Sequence, residues 1–194
     1  MEKIVVINDF ANTNAACSNA NIKLEAAQLL DYVVADRFLI EGHSFVPIDP
    51  RNPQAMDAII EEQWKAGFIV HSKIGAFAGN SYKCDYDVEI TLALMRIAEQ
   101  VKPDIIVLLS GDKDFIPVIL ELRQRGIRVE VGSFPGVSAA REVMLKASGF
   151  IDLHECINEI SHQDDFDQEA IPLVYTDIDQ GDDIETEEVL TEEE

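Results

Sequence analysis

The sequence contains little of what a disulfide framework, a zinc site or a membrane span requires. Its three cysteines, Cys17, Cys84 and Cys156, form no C-x-x-C pair, and their odd number favours reduced thiols. No stretch approaches the ~20 apolar residues that cross a bilayer, and the apolar run near Met1 is too short for a signal peptide. These absences predict a cytoplasmic protein without a membrane partner.

Basic side chains are missing from the end of the chain. The formal net charge is −22 over 194 residues. Residues 1–157 carry 15 basic and 22 acidic side chains, whereas residues 158–194 carry 15 acidic side chains and no basic one. The end segment also lacks helical or strand periodicity, which is typical of disorder. We therefore predict one folded, mildly acidic domain over residues 1–157 and a disordered acidic tail over residues 158–194.

Short apolar runs alternate with segments of helical periodicity along the predicted domain. The predicted strands are 3–8, 43–48, 67–72, 104–109, 127–131 and 150–153; the predicted helices are 24–39, 53–65, 83–98, 115–125 and 135–146; residues 14–21 and 75–80 are predicted loops. The helix 83–98 is apolar nearly all round, which predicts deep burial, and Pro47 predicts a second strand toward the edge of the sheet. This alternation predicts an α/β fold with a mostly parallel central sheet flanked by helices.

Two carboxylates follow the predicted strand 104–109 within one short turn. Gly111 allows a sharp turn, so Asp112 and Asp114 reach one small volume at the carboxyl end of the strand, where open α/β sheets bind ligands. A hard divalent cation such as Mg²⁺ would relieve the repulsion between them. The alternative is that Asp112 is a turn residue and Asp114 is the N-cap of the following helix.

Further acids are expected at the same edge of the sheet. Right-handed crossovers place the amino ends of the helices on the side where the strands end. Asp9 follows the first strand, and Asp87 lies at the front of a predicted helix. If the first strand and strand 104–109 are neighbours, as in the order 3-2-1-4-5, these acids meet the Asp112 turn at the switch point of the sheet. Convergence from three segments favours a metal site over helix capping.

Three motifs in this order carry a resemblance to a known family. They are Asp9-x-x-Asn12 after an apolar strand, Lys83-x-x-x-Asp87-Val88, and Ser110-Gly-Asp112-x-Asp114-Phe115, followed by Ser138 before a last helix and strand. Over about residues 3–154 the chain resembles the NYN branch of the PIN-like nuclease domains and, within it, the LabA-like proteins. The resemblance implies a Rossmann-like PIN fold that binds Mg²⁺ or Mn²⁺ and hydrolyses RNA phosphodiester bonds.

The same resemblance implies the roles of individual residues. The metal-binding and catalytic acids would be Asp9, Asp87, Asp112 and Asp114, with Asn12 as a polar partner in the same pocket. The candidate substrate-binding residues at this edge are Asn12, Lys83, Ser110, Lys113 and Ser138. Asp85 competes with Asp87 for the ligand role, and the motif register together with the helix pitch favours Asp87. Lys73, Lys83 and Lys113 would meet substrate phosphates or, equally in keeping with the sequence, would be solvated lysines that offset nearby acids.

The predicted function is a metal-dependent endoribonuclease that acts on single-stranded RNA. The alternative is a LabA-like regulatory or adaptor protein with weak or absent catalysis, which acts through protein partners, for example partners of the acidic tail. The acidic balance and Ala93, where relatives often have a further acid, support it. A second copy of the chain is a further candidate partner. A phosphohydrolase with an aspartyl nucleophile is less favoured, because Asp9-x-x-Asn12 lacks the Asp-x-Asp typical of that class.

Overall fold

The computed structural model describes residues 1–79 and 81–168, apart from the side chains of residues 78, 81 and 161–168. The strands in this part of the chain are β1 (Lys3–Asp9), β2 (Phe38–Ile48), β3 (Phe68–Ile74), β4 (Ala76–Ala78), β5 (Ser81–Lys83), β6 (Ile105–Leu109), β7 (Arg128–Ser133) and β8 (Gly149–Asp152). The helices are α1 (Phe10–Ala20), α2 (Ala26–Val34), α3 (Asp57–Lys65), α4 (Asp87–Gln100), α5 (Ile116–Gln124), α6 (Arg141–Lys146) and α7 (Leu153–Gln168). Short 3-10 turns precede α3 and α5, at Pro53–Met56 and Lys113–Phe115.

Helix α7 extends into the segment predicted as the tail. Residues 158–168 continue α7, whereas residues 169–194 lie outside the described part of the chain, so the predicted disorder of the tail stays a prediction. None of the described helices combines the length and the apolar character that crossing a membrane requires.

Six strands form one parallel sheet in the order β3-β2-β1-β6-β7-β8. β1 and β6 are hydrogen-bonded neighbours at its centre, and the strand order reverses between them. The residues of β6, and all of β1 after Lys3, are buried, which explains why both strands are continuous apolar runs in the sequence. The predicted α/β class and parallel sheet are confirmed, and the switch point lies where β1 and β6 end.

Helices cover both faces of the sheet and form two apolar cores. Val5 and Ile7 of β1 belong to a core that contains side chains of α4, α5 and α6, whereas Ile4 and Val6 belong to a core that contains side chains of α1, α2 and α7. Successive residues of a strand point to opposite faces, so β1 contributes alternately to each core. The carboxyl ends of the central strands are therefore held from both sides.

The predicted helix 24–39 is too long, and the strand after it begins earlier than predicted. Phe38 already pairs with Lys3 at the start of β2. Ala35 ends α2 with a positive φ of 49°, which is unusual for this residue type. Gly42, the first glycine after the predicted helix, lies inside β2.

Two segments predicted as loops contain regular structure. Residues 14–21 belong mostly to α1, which starts where the Asp9 carboxylate accepts a hydrogen bond from the Asn12 backbone N–H and ends at Asn21 in a left-handed conformation. In the segment predicted as the loop 75–80, Ala76–Ala78 form β4, which pairs antiparallel with β5. α1 buries few side chains, and β4 and β5 have three residues each, so neither segment has a strong apolar pattern.

Pro47 and helix α4 also differ from the expectations. β2 lies between β1 and β3 rather than at an edge, and Pro47 is tolerated because it lies beyond Phe45, the last residue of β2 that pairs with β1. α4 begins at Asp87, and its Val88 and Leu92 side chains are 69% and 48% exposed, so one side of this helix faces away from the core.

The predicted helix 135–146 is present only in its second half, as α6. Residues 135–140 form a turn in which the Ala140 N–H donates a hydrogen bond to the Gly111 carbonyl at 3.1 Å. A Cβ on Gly111 would lie 2.1 Å from the Ser138 carbonyl oxygen. The turn therefore packs directly on the Gly111 backbone, where only glycine fits.

Gly111→Ala is expected to destabilise the protein, because the added methyl group would clash with backbone atoms. We expect the free energy of unfolding, measured by urea denaturation, to fall by about 2–3 kcal/mol. Gly149→Ala is the matched control, since its Cβ would meet the Glu130 side chain at 3.3 Å, and a loss below about 1 kcal/mol is expected there. Equal losses in the two variants would contradict the close packing at Gly111.

Candidate metal centre

Three carboxylates from two segments converge at the edge where β6 ends. Asp112 and Asp114 follow β6, and Asp87 is the first residue of α4. One carboxylate oxygen from each of the three lies within 4.8 Å of the other two. Asp87 and Asp112 are half-buried and Asp114 is exposed. These three carboxylates, called the acid group below, are therefore open to solvent on one side. The structure thus brings together three of the four predicted metal acids.

Asp9, the fourth predicted metal acid, lies beside the acid group. It is buried, 8% exposed, and lines the same surface pocket as Asp87 and Asp112. Its carboxylate accepts hydrogen bonds from the Ser110 hydroxyl at 3.0 Å and from the Asn12 backbone N–H at 3.3 Å. Burial raises the pKa of Asp9 above its usual value and the Asp112 charge adds to this, while the two hydrogen bonds act in the opposite direction. These contacts fix Asp9 at the end of β1.

Asn12 and Ser110 connect the ends of β1 and β6. The side-chain carbonyl of Asn12 accepts a hydrogen bond from the Gly111 N–H at 3.0 Å, and the Ser110 hydroxyl oxygen accepts one from the Asp112 N–H at 3.3 Å. Because Ser110 also donates to Asp9, a single hydroxyl links Asp9 to the turn that carries Asp112. Both residues position the acids, and their predicted contact with substrate stays a prediction.

Asp112 builds the turn after β6. Its carboxylate accepts a hydrogen bond from the Asp114 N–H at 2.9 Å and caps the 3-10 turn that precedes α5. Asp112 is therefore the capping residue, which corrects the alternative in which Asp114 was the N-cap. A carboxylate has two acceptor oxygens, so capping does not prevent Asp112 from binding a cation as well.

Asp85 and Asp87 have opposite electrostatic settings. The Asp85 carboxylate accepts a hydrogen bond from the Asp87 N–H at 3.0 Å, and this hydrogen bond lowers the pKa of Asp85. Burial, followed by the negative charges of Asp85 and Asp112, raises the pKa of Asp87 to about 6. Asp85 therefore accepts a hydrogen bond from a backbone N–H at the start of α4. Asp87, in contrast, carries an unfavourable negative charge that a bound cation would stabilise.

The three lysines considered as phosphate ligands have different surroundings. Lys73 forms an ion pair with Glu89 and donates to the Asp85 carbonyl at 2.6 Å, so its ammonium group is engaged within the protein. Lys83 is exposed and lines the same pocket as the acids. Lys113 is exposed on the turn after β6. The two exposed lysines are thus better placed than Lys73 to meet a negatively charged ligand.

Ser138 lies behind the turn after β6. Its hydroxyl is 2.7 Å from the Ser133 hydroxyl, and its carbonyl is next to the Gly111 backbone. The structure therefore places Ser138 where it supports the turn from the side of β7, and its predicted contact with substrate stays a prediction.

Tyr86 is a residue of the pocket that the sequence did not single out. It lies between Asp85 and Asp87, and its hydroxyl donates a hydrogen bond to the His71 carbonyl at 3.0 Å. Burial raises the pKa of Tyr86 above its usual value, and the nearby Cys84 and Glu89 add to this effect. The sequence signal that could have identified Tyr86 as a pocket residue was its position between two acids at the start of a predicted helix.

Comparisons with known proteins concern the fold and the family. The profile of the NYN domain family matches residues 3–156, which is more than half of the chain. A solved protein of unknown function from Vibrio parahaemolyticus has a TM-score of 0.66 and 23% sequence identity, covering 80% of this chain and 95% of its own. UGT89C1 of Arabidopsis thaliana, solved with UDP, has 12% identity and covers 84% of this chain and 48% of its own, but its TM-score of 0.31 carries no argument. The search of curated proteins found no match.

The residues matched by the family profile are also those that form the sheet and the candidate site. The matched residues contain the whole parallel sheet, the acid group and Asp9. The similarity to the Vibrio parahaemolyticus structure supports the same fold and nothing beyond it. The chain belongs to the NYN domain family, a branch of the PIN-like nuclease superfamily.

Proposed function

We propose that the protein is a metal-dependent endoribonuclease that hydrolyses phosphodiester bonds of single-stranded RNA. The observation that carries this proposal is the acid group of Asp87, Asp112 and Asp114, whose oxygens lie within 4.8 Å of one another at the switch point of the sheet. Membership of the NYN family supports nuclease chemistry. The preference for RNA rests on the resemblance to PIN-like and LabA-like relatives.

The acid group has the chemistry that a hard divalent cation requires. Mg²⁺ and Mn²⁺ prefer oxygen ligands, and Mg²⁺ commonly binds through one or two carboxylates while it retains several waters. The pKa of Asp87, raised to about 6 by burial and by neighbouring acids, reports negative charge that the protein leaves without compensation. Asp87, Asp112 and Asp114 would hold the ion, with Asp9 beside them.

The fixed positions of the acids suit phosphodiester hydrolysis. A bound divalent cation would supply an activated water and stabilise the negative charge that develops on the phosphate. Ser110 and the Asn12 N–H hold Asp9, and the Asp114 N–H orients Asp112. Because these carboxylates are already in place, little reorganisation is needed during the reaction. Exposed lysines of the pocket and of the turn after β6 would bind the phosphates that flank the scissile bond.

A LabA-like regulatory or adaptor protein is the competing function. Position 93 is an alanine and therefore adds no carboxylate to the acid group. Its side chain is partly buried against the apolar core that contains α4. Such a protein would keep the fold and bind metal without cleaving RNA. Absence of cleavage by the pure, metal-loaded protein across a broad RNA panel would favour this function over the ribonuclease.

Asp87→Asn is expected to stabilise the metal-free protein at pH 7.5. The pKa of Asp87 is raised from 3.8 to about 6, so its contribution to folding is most favourable below pH 4 and is lost as the pH rises through 6. Removing this charge should raise the melting temperature by about 1–3 °C, since solvent screens part of the repulsion. Mn²⁺ should raise the melting temperature of the wild type, and less so that of Asp87→Asn.

These melting temperatures are measured by differential scanning fluorimetry, in EDTA and in a Mn²⁺ or Mg²⁺ series, from pH 5 to pH 8. Asp36→Asn is the matched control, because Asp36 is an exposed acid in the turn between α2 and β2. It should leave the metal response unchanged. Metal-induced shifts of equal size in the wild type and in Asp87→Asn would rule out the acid group as the metal site.

Substitution of a site acid is expected to abolish most RNA cleavage. Asp9→Asn, Asp87→Asn and Asp112→Asn should each reduce the initial rate on fluorogenic single-stranded RNA by at least ~100-fold, the scale of removing one preorganised electrostatic stabiliser. Lys102→Ala, in the segment before β6, should remain close to the wild type. Cleavage that survives both EDTA and Asp112→Asn would mean that the proposed mechanism is wrong.

Deletion of residues 169–194 is expected to tighten RNA binding, most strongly at low salt. This segment carries 11 acidic side chains and no basic one, so it would repel RNA or compete with it for basic side chains. Binding is measured by fluorescence anisotropy over a salt series. A full-length variant with the 11 acids changed to amides is the control and should behave like the deletion. Unchanged affinity at every salt concentration would refute a repulsive tail.

A further inference from the structure

A second cavity lies between α1, α2 and α3, on the face of the sheet opposite to α4. Its volume is about 170 Å³. The polar end of the cavity contains Asn8 and Gln63, and its apolar wall contains Phe10, Leu24, Leu29 and Ile59. The proposed metal chemistry uses none of these side chains.

A chain of buried hydrogen bonds supports the polar end of this cavity. The Thr13 hydroxyl donates to the Asn8 side-chain oxygen at 2.9 Å. The Asn8 amide nitrogen in turn donates to the Ser44 hydroxyl at 3.2 Å and to the Gln63 side-chain oxygen at 3.3 Å. Each step fixes the orientation of the next amide, so the oxygen of Gln63 is directed toward Asn8.

The side-chain nitrogen of Gln63, Nε2, takes no part in this network. Gln63 is only 4% exposed and lines the cavity, yet none of the described residues accepts a hydrogen bond from its Nε2. Gln63 Nε2 is therefore reached from the cavity rather than sealed in the core, and it can donate a hydrogen bond to a molecule in the cavity. A ligand with a carbonyl oxygen or a ring nitrogen acceptor would complete the hydrogen bonds of Gln63.

The size and wall of the cavity restrict this ligand further. An apolar cavity of about 150 Å³ holds a benzene ring, so about 170 Å³ suits a single substituted ring better than a fused bicycle. Phe10 contributes an aromatic side chain, and Leu29 and Ile59 contribute aliphatic ones. The apolar wall thus favours a ligand with a planar ring, whose faces would pack against it. Gln63 favours a ring that carries a polar atom on its edge.

From this geometry we infer that the cavity binds a pyrimidine nucleobase, with a base carbonyl accepting a hydrogen bond from Gln63 Nε2. Uracil and cytosine both combine a single ring with such a carbonyl. The base could belong to a nucleotide of RNA or to a free nucleoside. Asn8 and Phe10 of the cavity flank Asp9 of the acid pocket in the chain, so the two sites are adjacent in sequence at the start of α1. The RNA source rests on the proposed function, whereas the free nucleoside does not.

Binding is tested with the full chain in EDTA, by titrating ¹⁵N-labelled protein with uridine, cytidine or adenosine. Uridine and cytidine should shift the amide signals of α1 and α3 around the cavity, with dissociation constants of about 1 mM for such small ligands. Adenosine should produce smaller shifts at the same concentration. Since no metal is present, the result does not depend on whether the protein cleaves RNA.

Two variants test the role of the cavity. Gln63→Glu keeps an oxygen for Asn8 but replaces the donor by an acceptor, and should weaken pyrimidine binding at least ~5-fold, the loss expected for one hydrogen bond. Gln54→Glu, at an exposed position in the 3-10 turn before α3, makes the same charge change and should bind like the wild type. Ser18→Phe, at an exposed position on the rim, should block the cavity without altering the core.

The source of the base is distinguished with cleavage-deficient Asp112→Asn protein and short oligouridine or oligoadenosine. Tighter binding of oligouridine that is lost when Gln63→Glu is added assigns the base to RNA. Nucleoside binding without any oligouridine preference assigns a free nucleoside. The inference is overturned if no pyrimidine nucleoside shifts the signals around the cavity at ~10 mM, or if Gln63→Glu and Ser18→Phe both bind as tightly as the wild type.

Discussion

Repulsion among carboxylates at the ends of β1 and β6 is the constraint that the rest of the structure accommodates. Burial and neighbouring acids raise the pKa of Asp87 to about 6, and burial together with Asp112 raises that of Asp9. Backbone N–H groups at the starts of helices or 3-10 turns offset part of this cost, by donating to Asp9, to Asp112 and to Asp85. The charge that remains on Asp87 would favour a cation bound at this edge.

The turn at Gly111 connects this edge to the last third of the domain. Asn12 accepts a hydrogen bond from the Gly111 N–H, while the Gly111 carbonyl accepts one from Ala140, so the turn is held from both halves of the sheet. The close approach of the Ser138 carbonyl leaves no room for a Cβ on Gly111. The spacing between Asp9 and Asp112 therefore depends on segments far apart in the sequence, which is why a short motif alone does not determine it.

Sequence patterns predicted the central strands because burial on both faces makes them continuous apolar runs, as in Ile105–Leu109. They failed at Phe38, because the positive φ of Ala35, which ends α2, has no signal in its residue type. α1 was missed because it buries few side chains and its start depends on one hydrogen bond to Asp9. The convergence of Asp87 with Asp112 could be predicted from chain topology, whereas the capping role of Asp112 depended on local backbone geometry that residue types leave open.

The end of β1 contributes neighbouring side chains to two different pockets. Adjacent residues of a strand point to opposite faces, so Asp9 reaches the acid pocket and Asn8 reaches the cavity between α1, α2 and α3. Thr13 joins the two, because its hydroxyl is within hydrogen-bond distance of both the Asn8 side chain and the Asp9 carbonyl. A ligand that tightens the Asn8 network would therefore restrain the first turn of α1, which carries the Asn12 N–H that orients Asp9. Occupancy of the cavity would in this way act on the position of Asp9 through a single helical turn.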